Sequence, residues 1–150
     1  MNKIGVNVEA PNKHGRILWD IFKDIDFDRY YFKVEDSEII LDDEERSDLF
    51  RNKYITGIEF INSIKNNCYY LIFSKISATR EHDYDFEVDS YEDFSISKYK
   101  ILVLIYDTVY IEVYCKDKNL LNKIINNTEE KGYQFEVLYD KPVRVNMNIW

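Results

Sequence analysis

Apolar residues along the chain follow two spacings, which predict where strands and helices form. In several short segments they alternate with polar residues, a period of two that is typical of a strand with one buried face. Two runs, 69–76 and 100–106, are apolar at nearly every position, which predicts strands covered on both faces. The predicted strands cover residues 4–8, 29–34, 38–41, 69–76, 100–106, 109–115, 135–139 and 143–149. We expect residues 29–34 and 38–41 to form a hairpin around Glu35-Asp36-Ser37.

Three helices are predicted from apolar spacing and from the residues at their ends. Their candidate N-caps are Asn12, Thr56 and Asp117. In the first helix, apolar residues recur over 17–25. In the second, Glu59 follows Thr56 at the spacing of a capping box. Gly132 ends the third, because glycine readily adopts the left-handed conformation that closes many helices.

The order of these elements predicts an α+β fold. Strands outnumber helices, and many strands follow one another closely in sequence, which favours a mostly antiparallel or mixed sheet. We expect a sheet of about six to eight strands with about two to three helices packed on it. No linker, repeat or low-complexity stretch divides the chain, so residues 1–150 are expected to form one domain.

Composition places the chain among folded, acidic proteins. Of its 150 residues, 45% are hydrophobic and 16% aromatic, which is too apolar for a disordered chain. The formal net charge of −8 repels nucleic-acid backbones and anionic lipid, which argues against both as partners. The longest apolar run, 101–106, is far shorter than the roughly 20 residues that span a bilayer, and the first residues lack the apolar core of a secretion signal. We therefore expect a cytoplasmic protein with no membrane partner.

The residue spacings of the common enzyme motifs do not occur in the sequence. Glycines at positions 5, 15, 57 and 132 form no phosphate-binding loop, dinucleotide fingerprint or nucleophile elbow. Histidines at 14 and 82 and cysteines at 68 and 115 fit no zinc-site spacing. Both cysteines lie in apolar runs, which predicts small buried side chains with unreactive thiols. The sequence thus predicts no cofactor, no metal and no catalytic residue.

Negative charge is concentrated in two segments, which we call the first and second acidic blocks. Residues 35–48 hold eight acids and one base, and residues 81–93 hold seven acids and no base, so the rest of the chain is mildly basic. The carboxylates predicted to bind a partner are Asp42, Asp43, Glu44 and Glu45 in the first block and Glu81, Asp83, Asp85, Glu87 and Asp89 in the second.

The carboxylates of the second block occupy every other position from 81 to 89. On a strand they would line one face about 7 Å apart, repelling one another. Such a row fits a solvated edge strand whose charges prevent sheet-to-sheet aggregation, a docking surface for a basic protein, or a metal site. Calcium fits poorly, because it requires oxygens that converge on one point.

Two other sets of residues are candidate binding groups. A phosphate or carboxylate could bind free backbone N–H groups and cations where the first helix starts. The residues of this anion site are Asn12, Lys13, His14 and Arg16. Tyrosines are frequent in the predicted strands, and most are expected to pack in the core or on the sheet. Tyr110, Glu112 and Tyr114, on the polar face of one strand, are the binding candidates among them.

Several short motifs resemble a known family. They are Pro11-Asn12 with Gly15 and Leu18-Trp19-Asp20, then Tyr69-Tyr70-Leu71-Ile72-Phe73, then Asp107-Thr108-Val109-Tyr110 with Tyr114-Cys115-Lys116-Asp117, and Asn148-Ile149-Trp150. With these motifs the chain is similar, over nearly its whole length, to the uncharacterised domain-of-unknown-function family 2691 of low-GC Gram-positive bacteria. The resemblance implies a bacterial cytosolic protein with one domain and supplies no catalytic residues.

These observations lead to a functional hypothesis with two alternatives. The first is a non-enzymatic acidic protein-binding module that neutralises a basic partner, in the manner of immunity proteins and nuclease inhibitors. The second is a small-molecule or nucleotide-phosphate binding protein that uses the N-terminus of the first helix. The third is a hydrolase that uses the carboxylates of residues 81–89 with a divalent ion, which requires those side chains to converge.

Overall fold

A seven-stranded antiparallel sheet forms the centre of the fold. The computed structural model describes residues 2–144 and 146–149, in which the strand order across the sheet is β3-β2-β4-β5-β6-β1-β7. The strands are β1 (Lys3–Glu9), β2 (Tyr31–Leu41), β3 (Tyr54–Thr56), β4 (Tyr69–Thr79), β5 (Tyr99–Tyr106), β6 (Tyr110–Cys115) and β7 (Gln134–Tyr139). The helices in the described part are α1 (Ile17–Phe22), α2 (Gly57–Asn66), α3 (Tyr91–Ile96) and α4 (Lys118–Lys131). The predicted α+β class and strand number are confirmed, and α3 is a short helix beyond those predicted.

The two faces of the sheet are covered in different ways. Helices α1, α2 and α4 pack over one face and bury the larger hydrophobic core. On the other face, helix α3, the segment before it and the segment after β7 contribute Phe94, Val88 and Met147 to a second, smaller core. Three of the four helices in the described residues therefore pack on one face of the sheet, and irregular chain covers much of the other face.

Strand β5 shows why the sequence is apolar at every position from 101 to 106. Ile101, Val103 and Ile105 belong to the larger core, whereas Leu102 and Leu104 belong to the smaller one. Since successive side chains of a strand point to opposite faces, both sets must be apolar when both faces are covered. The prediction for residues 100–106 is confirmed.

The ends of the two longer helices follow the sequence signals. The Thr56 hydroxyl accepts a hydrogen bond from the Glu59 N–H at 3.1 Å, and Asp117 caps α4 through two N–H groups. Gly132 closes α4 with φ of 82°. No helix within the described residues is both long and apolar enough to cross a membrane.

The hairpin predicted over residues 29–41 is wrong. Residues 31–41 form the single strand β2, which pairs with β4 along its length. Asp36 has φ of 47° and the pairing register shifts after Glu35, so the polar triplet forms a bulge within the strand and not a turn. The second neighbour of β2 is the three-residue edge strand β3.

Two further predictions near the ends of the chain are wrong. Helix α1 begins at Ile17 and not after Asn12, because Gly15 is held in an extended bridge by paired backbone hydrogen bonds with Tyr69. After β7, residues 141–144 and 146–149 form an isolated bridge at Asn146 instead of a strand. Val145 of that predicted strand lies outside the described residues.

The strand that would place the carboxylates of residues 81–89 in one row does not form. The segment contains no strand, and φ of 58° at Asp83 breaks the alternation of side chains. Val88 is buried, whereas Phe86 is partly exposed. A straight row of like charges would repel itself, and the chain turns instead, so that its carboxylates lie in different places.

Gly57 offers a test of the packing between α2 and the chain before β2. A Cβ at this position would lie 1.7 Å from the Phe27 carbonyl oxygen, so Gly57→Ala forces the backbone to move. We expect a loss of about 2–3 kcal/mol, which lowers the melting temperature by roughly 5–10 °C in thermal unfolding. Gly15→Ala is the control, because a Cβ there meets nothing within 4 Å. Equal melting temperatures for the two variants would contradict this packing.

Candidate functional site

A buried lysine joins the two acidic blocks. Lys33 of β2 is 3% exposed, and its ammonium lies 2.6 Å from Glu35 Oε1 and 2.7 Å from Asp85 Oδ1. Glu87 Oε1 lies 3.5 Å from the same nitrogen. Glu35 belongs to the first block, whereas Asp85 and Glu87 belong to the second. One cation inside the protein therefore balances carboxylates from both blocks.

The contacts of Lys33 keep it charged. Burial by itself lowers the pKa of Lys33, but its hydrogen bonds to Asp85 and Glu35 outweigh this effect and leave the pKa raised. The hydrogen bond from Lys33, followed by one from the Tyr54 hydroxyl at 2.8 Å, lowers the pKa of Asp85. Both oxygens of Asp85 are thus occupied, which fixes the loop against β2 and β3.

A cavity of about 450 Å³ opens beside this ion-pair cluster, between β2, β3, the start of α2 and residues 81–85. Tyr31, Tyr54 and Tyr84 line it, as do the buried Phe32 and Ile55. Tyr31 is 39% exposed and Tyr54 is 56% exposed, which is unusual for large aromatic side chains. We call this space the tyrosine cavity.

Carboxylates surround the tyrosine cavity and retain capacity for a ligand. Besides Asp85, its lining includes Glu59, Glu81 and Asp83. Glu81 lies 3.9 Å from the exposed ammonium of Lys98, and Asp83 lies 2.9 Å from His82 Nδ1. Such exposed pairs contribute little energy, so these oxygens can exchange partners. With Lys33 balanced internally, the cavity favours a cation over an anion.

The carboxylates of the first block at positions 42–45 lie at the opposite end of β2 from the tyrosine cavity. Asp42 is 3.8 Å from His14 Nδ1, and Asp43 accepts a hydrogen bond from the Arg46 N–H at 2.6 Å. Glu44 and Glu45 are exposed and unpaired within the described residues. These side chains supply a second negative patch, distant from the cavity.

Residues of the two acidic blocks meet in a cleft beside β2. A cleft of about 490 Å³ is lined by Glu35, Asp36 and Asp48 of the first block and by Glu87 of the second. Arg51 and Lys53 also line it. Asp89 lies apart from this cleft, where it accepts a hydrogen bond from the Asn148 amide at 3.2 Å. The second block is therefore divided between the cavity rim, the lysine cluster and the C-terminal segment.

The carboxylates of residues 81–89 do not converge as a divalent ion would require. Asp85 and Glu87 point to Lys33, and residues 2–144 and 146–149 contain no cluster of three or more acidic, histidine or cysteine side chains placed to hold a metal. The geometry on which the hydrolase alternative depended is therefore not the geometry observed.

The candidate anion residues do not form the end of a helix. Asn12, Lys13 and His14 lie in a bend before α1, and the Asn12 side chain accepts a hydrogen bond from the Tyr70 hydroxyl. Arg16 donates to the Lys65 carbonyl oxygen at 3.1 Å. Helix α1 has six residues, and Arg16 makes no side-chain cap. The side chains of Asn12, His14 and Arg16 are thus engaged by different neighbours.

Of the three residues expected on a polar face, Glu112 and Tyr114 are interior and Tyr110 is partly exposed. Glu112 and Tyr114 are fully buried, and the Tyr114 hydroxyl donates to Glu112 Oε1 at 2.5 Å. Tyr114 belongs to the second core, beneath the segment after β7, and its hydroxyl also accepts from the Val143 N–H. The alternation of residues 109–115 correctly indicated a strand with two different faces. The face predicted to be solvated is instead covered by residues about thirty positions later in the chain.

Sequence reasoning missed the central residues of the tyrosine cavity. Lys33, Tyr54 and Tyr84 were not identified as site residues, although the acids that contact or adjoin them were. The available signal was one lysine inside an otherwise apolar stretch, between Phe32 and Val34. A buried ammonium needs strong acceptors, and carboxylates are the strongest, which would have pointed to the acidic blocks.

The two cysteines differ in their surroundings. Cys115 is buried, as predicted, and burial raises the pKa of its thiol to about 12. Cys68 is exposed, so the prediction of burial is wrong there; it precedes β4 and lies outside its buried part. Neither is in a disulfide in the described structure.

Comparison with known proteins agrees with the resemblance seen in the sequence motifs. Residues 3–145 match the family model described as a protein of unknown function, DUF2691. The chain is also similar to an uncharacterized protein, YncE, of Bacillus subtilis (strain 168), with 33% identity over 143 residues that cover 89% of each chain. No solved structure matches.

Lys33→Met tests the ion-pair cluster. Removing one partner of a fully buried pair costs about 3–5 kcal/mol, and we expect roughly 2–3 kcal/mol here because Asp85 and Glu87 are largely exposed. The pKa of Asp85 is lowered in the folded protein, chiefly by its hydrogen bond from Lys33. Its carboxylate therefore stabilises the fold above the ordinary carboxyl pKa of about 4, and this contribution is lost as the pH falls. Urea unfolding should therefore show a large gap between wild type and variant at pH 7 that shrinks towards pH 3.

The control for this experiment is Lys98→Met, whose ammonium is exposed and lies 3.9 Å from Glu81. It should change the free energy of unfolding by less than about 0.5 kcal/mol. A gap for Lys33→Met that does not depend on pH would contradict the assigned charge cluster.

Thiol modification tests the difference between the cysteines. In the folded protein at pH 8, a disulfide reagent should modify one thiol per chain rapidly, because Cys68 is exposed, whereas Cys115 is buried and burial raises the pKa of its thiol. Cys68→Ala should remove this fast reaction, and denaturant should expose both thiols of the wild type. Fast modification of the Cys68→Ala variant in its folded state would contradict the burial of Cys115.

Proposed function

We propose that the chain, which belongs to the protein family of unknown function DUF2691, is a non-enzymatic cytoplasmic module that binds and neutralises a basic protein. The observation that carries the proposal is the fixed acidic surface around the tyrosine cavity. Its loop has no regular secondary structure, yet Asp85 is held by both Lys33 and Tyr54. A charged loop that is ordered before binding loses less conformational entropy when a partner arrives.

The distribution of charge supports a protein partner of opposite sign. Glu81 and Asp83 lie at the cavity, whereas Glu44 and Glu45 lie beyond the other end of β2. Two separated negative patches would fix the orientation of an extended basic surface and speed its encounter with the chain. Partial pairing inside the protein leaves these exposed carboxylates for the partner.

The experiment compares two variants of equal net charge. In the block variant, Glu44, Glu45 and Glu81 become Gln and Asp83 becomes Asn. In the control variant, four exposed acids outside the blocks are neutralised: Asp28 becomes Asn, and Glu129, Glu130 and Glu136 become Gln. Wild type and both variants are immobilised, exposed to a lysate of Bacillus subtilis at low and high salt, and the captured proteins are quantified by mass spectrometry.

We expect wild type and control variant to capture the same basic protein, with a loss of about tenfold for the block variant and a similar loss at high salt. The captured protein is then purified, and its binding to the three chains is measured directly. Capture of no basic protein, or equal binding by the block variant, would exclude the proposed function.

A further inference from the structure

We propose that the tyrosine cavity receives one arginine side chain of the basic partner. This inference rests on the proposed function and identifies the group that would be recognised at its centre. Three separate observations carry it: the aromatic walls of the cavity, the exposed carboxylates around it, and the pairing of the Lys33 ammonium with carboxylates inside the protein.

Two tyrosines offer aromatic surface to a cation. Tyr54 is fixed by its hydroxyl on Asp85, and Tyr31 is held by an edge contact with His82 at 5.1 Å between ring centroids. The ring of Tyr54 already has the Lys53 ammonium 5.6 Å from its centroid, so one of its faces is used by a cation in the free protein. A cation held against an aromatic ring is stabilised by the negative charge of the ring face.

The carboxylates of the cavity can pair with a guanidinium group without breaking a buried contact. Glu59, Glu81 and Asp83 have exposed side chains whose present partners are a hydroxyl, an exposed lysine and a histidine. Asp85 keeps its own two partners. Lys33 does not repel the incoming charge strongly, because its ammonium contacts three carboxylates.

The combination of groups favours arginine over other cations. A guanidinium group is planar, stacks on aromatic rings and pairs with carboxylates through two hydrogen bonds, whereas an ammonium group is compact and strongly hydrated. The rings of Tyr31 and Tyr84, which line the cavity, offer apolar surface for the stem of the side chain. The volume of about 450 Å³ exceeds what a small ion requires and lies within the range of sites that bind organic groups.

The occupant is assigned to a protein and not to a free metabolite because the cavity lies within the acidic surface. Asp83 and Glu87, on the segment that forms its rim, are mostly exposed and can contact residues on either side of the inserted arginine. A protein partner would use these contacts in addition to those of the side chain, whereas a free metabolite would not.

The test uses three acetylated, amidated pentapeptides, Gly-Gly-X-Gly-Gly, in which X is arginine, lysine or citrulline. Citrulline has nearly the shape of arginine without its charge. Binding to the full chain is followed by two-dimensional NMR of backbone amides. We expect the arginine peptide to shift the amides of residues 81–85, to bind about tenfold more tightly than the citrulline peptide and more tightly than the lysine peptide.

Variants assign the binding to the cavity. Tyr54→Ala should weaken binding of the arginine peptide about two- to fivefold, whereas Tyr54→Phe, which keeps the ring, should lose less. Tyr139→Ala is the matched control, because Tyr139 is a 40% exposed tyrosine of β7, far from the cavity in the sheet order. Thermal unfolding of each variant establishes that it is folded, and the citrulline comparison on wild type needs no variant.

The outcomes separate this inference from the proposed function. If a basic protein is captured but the arginine peptide does not bind, or binds no better than citrulline, the inference is wrong and the function stands. If no basic protein is captured, the function is wrong. If propylguanidinium, a free guanidinium compound with the same single charge as the arginine peptide, binds more tightly than the peptide, the site serves a small molecule and the assignment to a partner's arginine is overturned.

Discussion

The buried ammonium of Lys33 is the constraint on which the candidate site depends. The ammonium of a lysine on a covered sheet face needs acceptors around it, and here the carboxylates of Glu35, Asp85 and Glu87 supply them. Glu35 lies on the same strand, but the other two come from a segment about fifty residues later in the chain. The ion-pair cluster therefore determines where that segment lies, and with it the walls of the tyrosine cavity.

The same principle extends across the second face of the sheet. Lys75 is also buried, and its ammonium donates to the Val88 carbonyl oxygen and to Asn148 Oδ1 at 2.9 Å. The Tyr99 hydroxyl accepts from the Phe86 N–H, and the Tyr84 hydroxyl from the Lys98 N–H. The sheet side chains of Lys75 and Tyr99 thus satisfy backbone groups of the irregular segment. In return, the Tyr84 side chain of that segment satisfies a backbone N–H beside β5. Helices cover the first face of the sheet through apolar packing, whereas hydrogen bonds help to position the irregular segment that covers the second face.

This difference explains what could be predicted from the sequence. Local signals succeeded where the interaction partners are close along the chain, as at Thr56 with Glu59 and at Gly132. The alternating acids of 81–89 satisfied the pattern of a strand, but a distant lysine and a positive φ at Asp83 override that pattern. Burial of Glu112 depends equally on distant chain. The fold class is thus set by patterns within elements, whereas the site is set by charge pairing between them, which periodicity does not report.

Internal pairing also changes what the acidic blocks can do. Carboxylates that are all solvated would attract any cation with little geometric preference, because their side chains move independently. Here the buried end of the charge system at Lys33 fixes Asp85 and Tyr54, while Glu81 and Asp83 remain near the surface. The exposed charges can attract a basic surface over a distance set by ionic strength. The fixed aromatic and carboxylate groups then restrict which cationic group fits, because a group of another shape would leave desolvated charge unpaired. Long-range attraction and local discrimination are therefore carried by different residues around the same cavity.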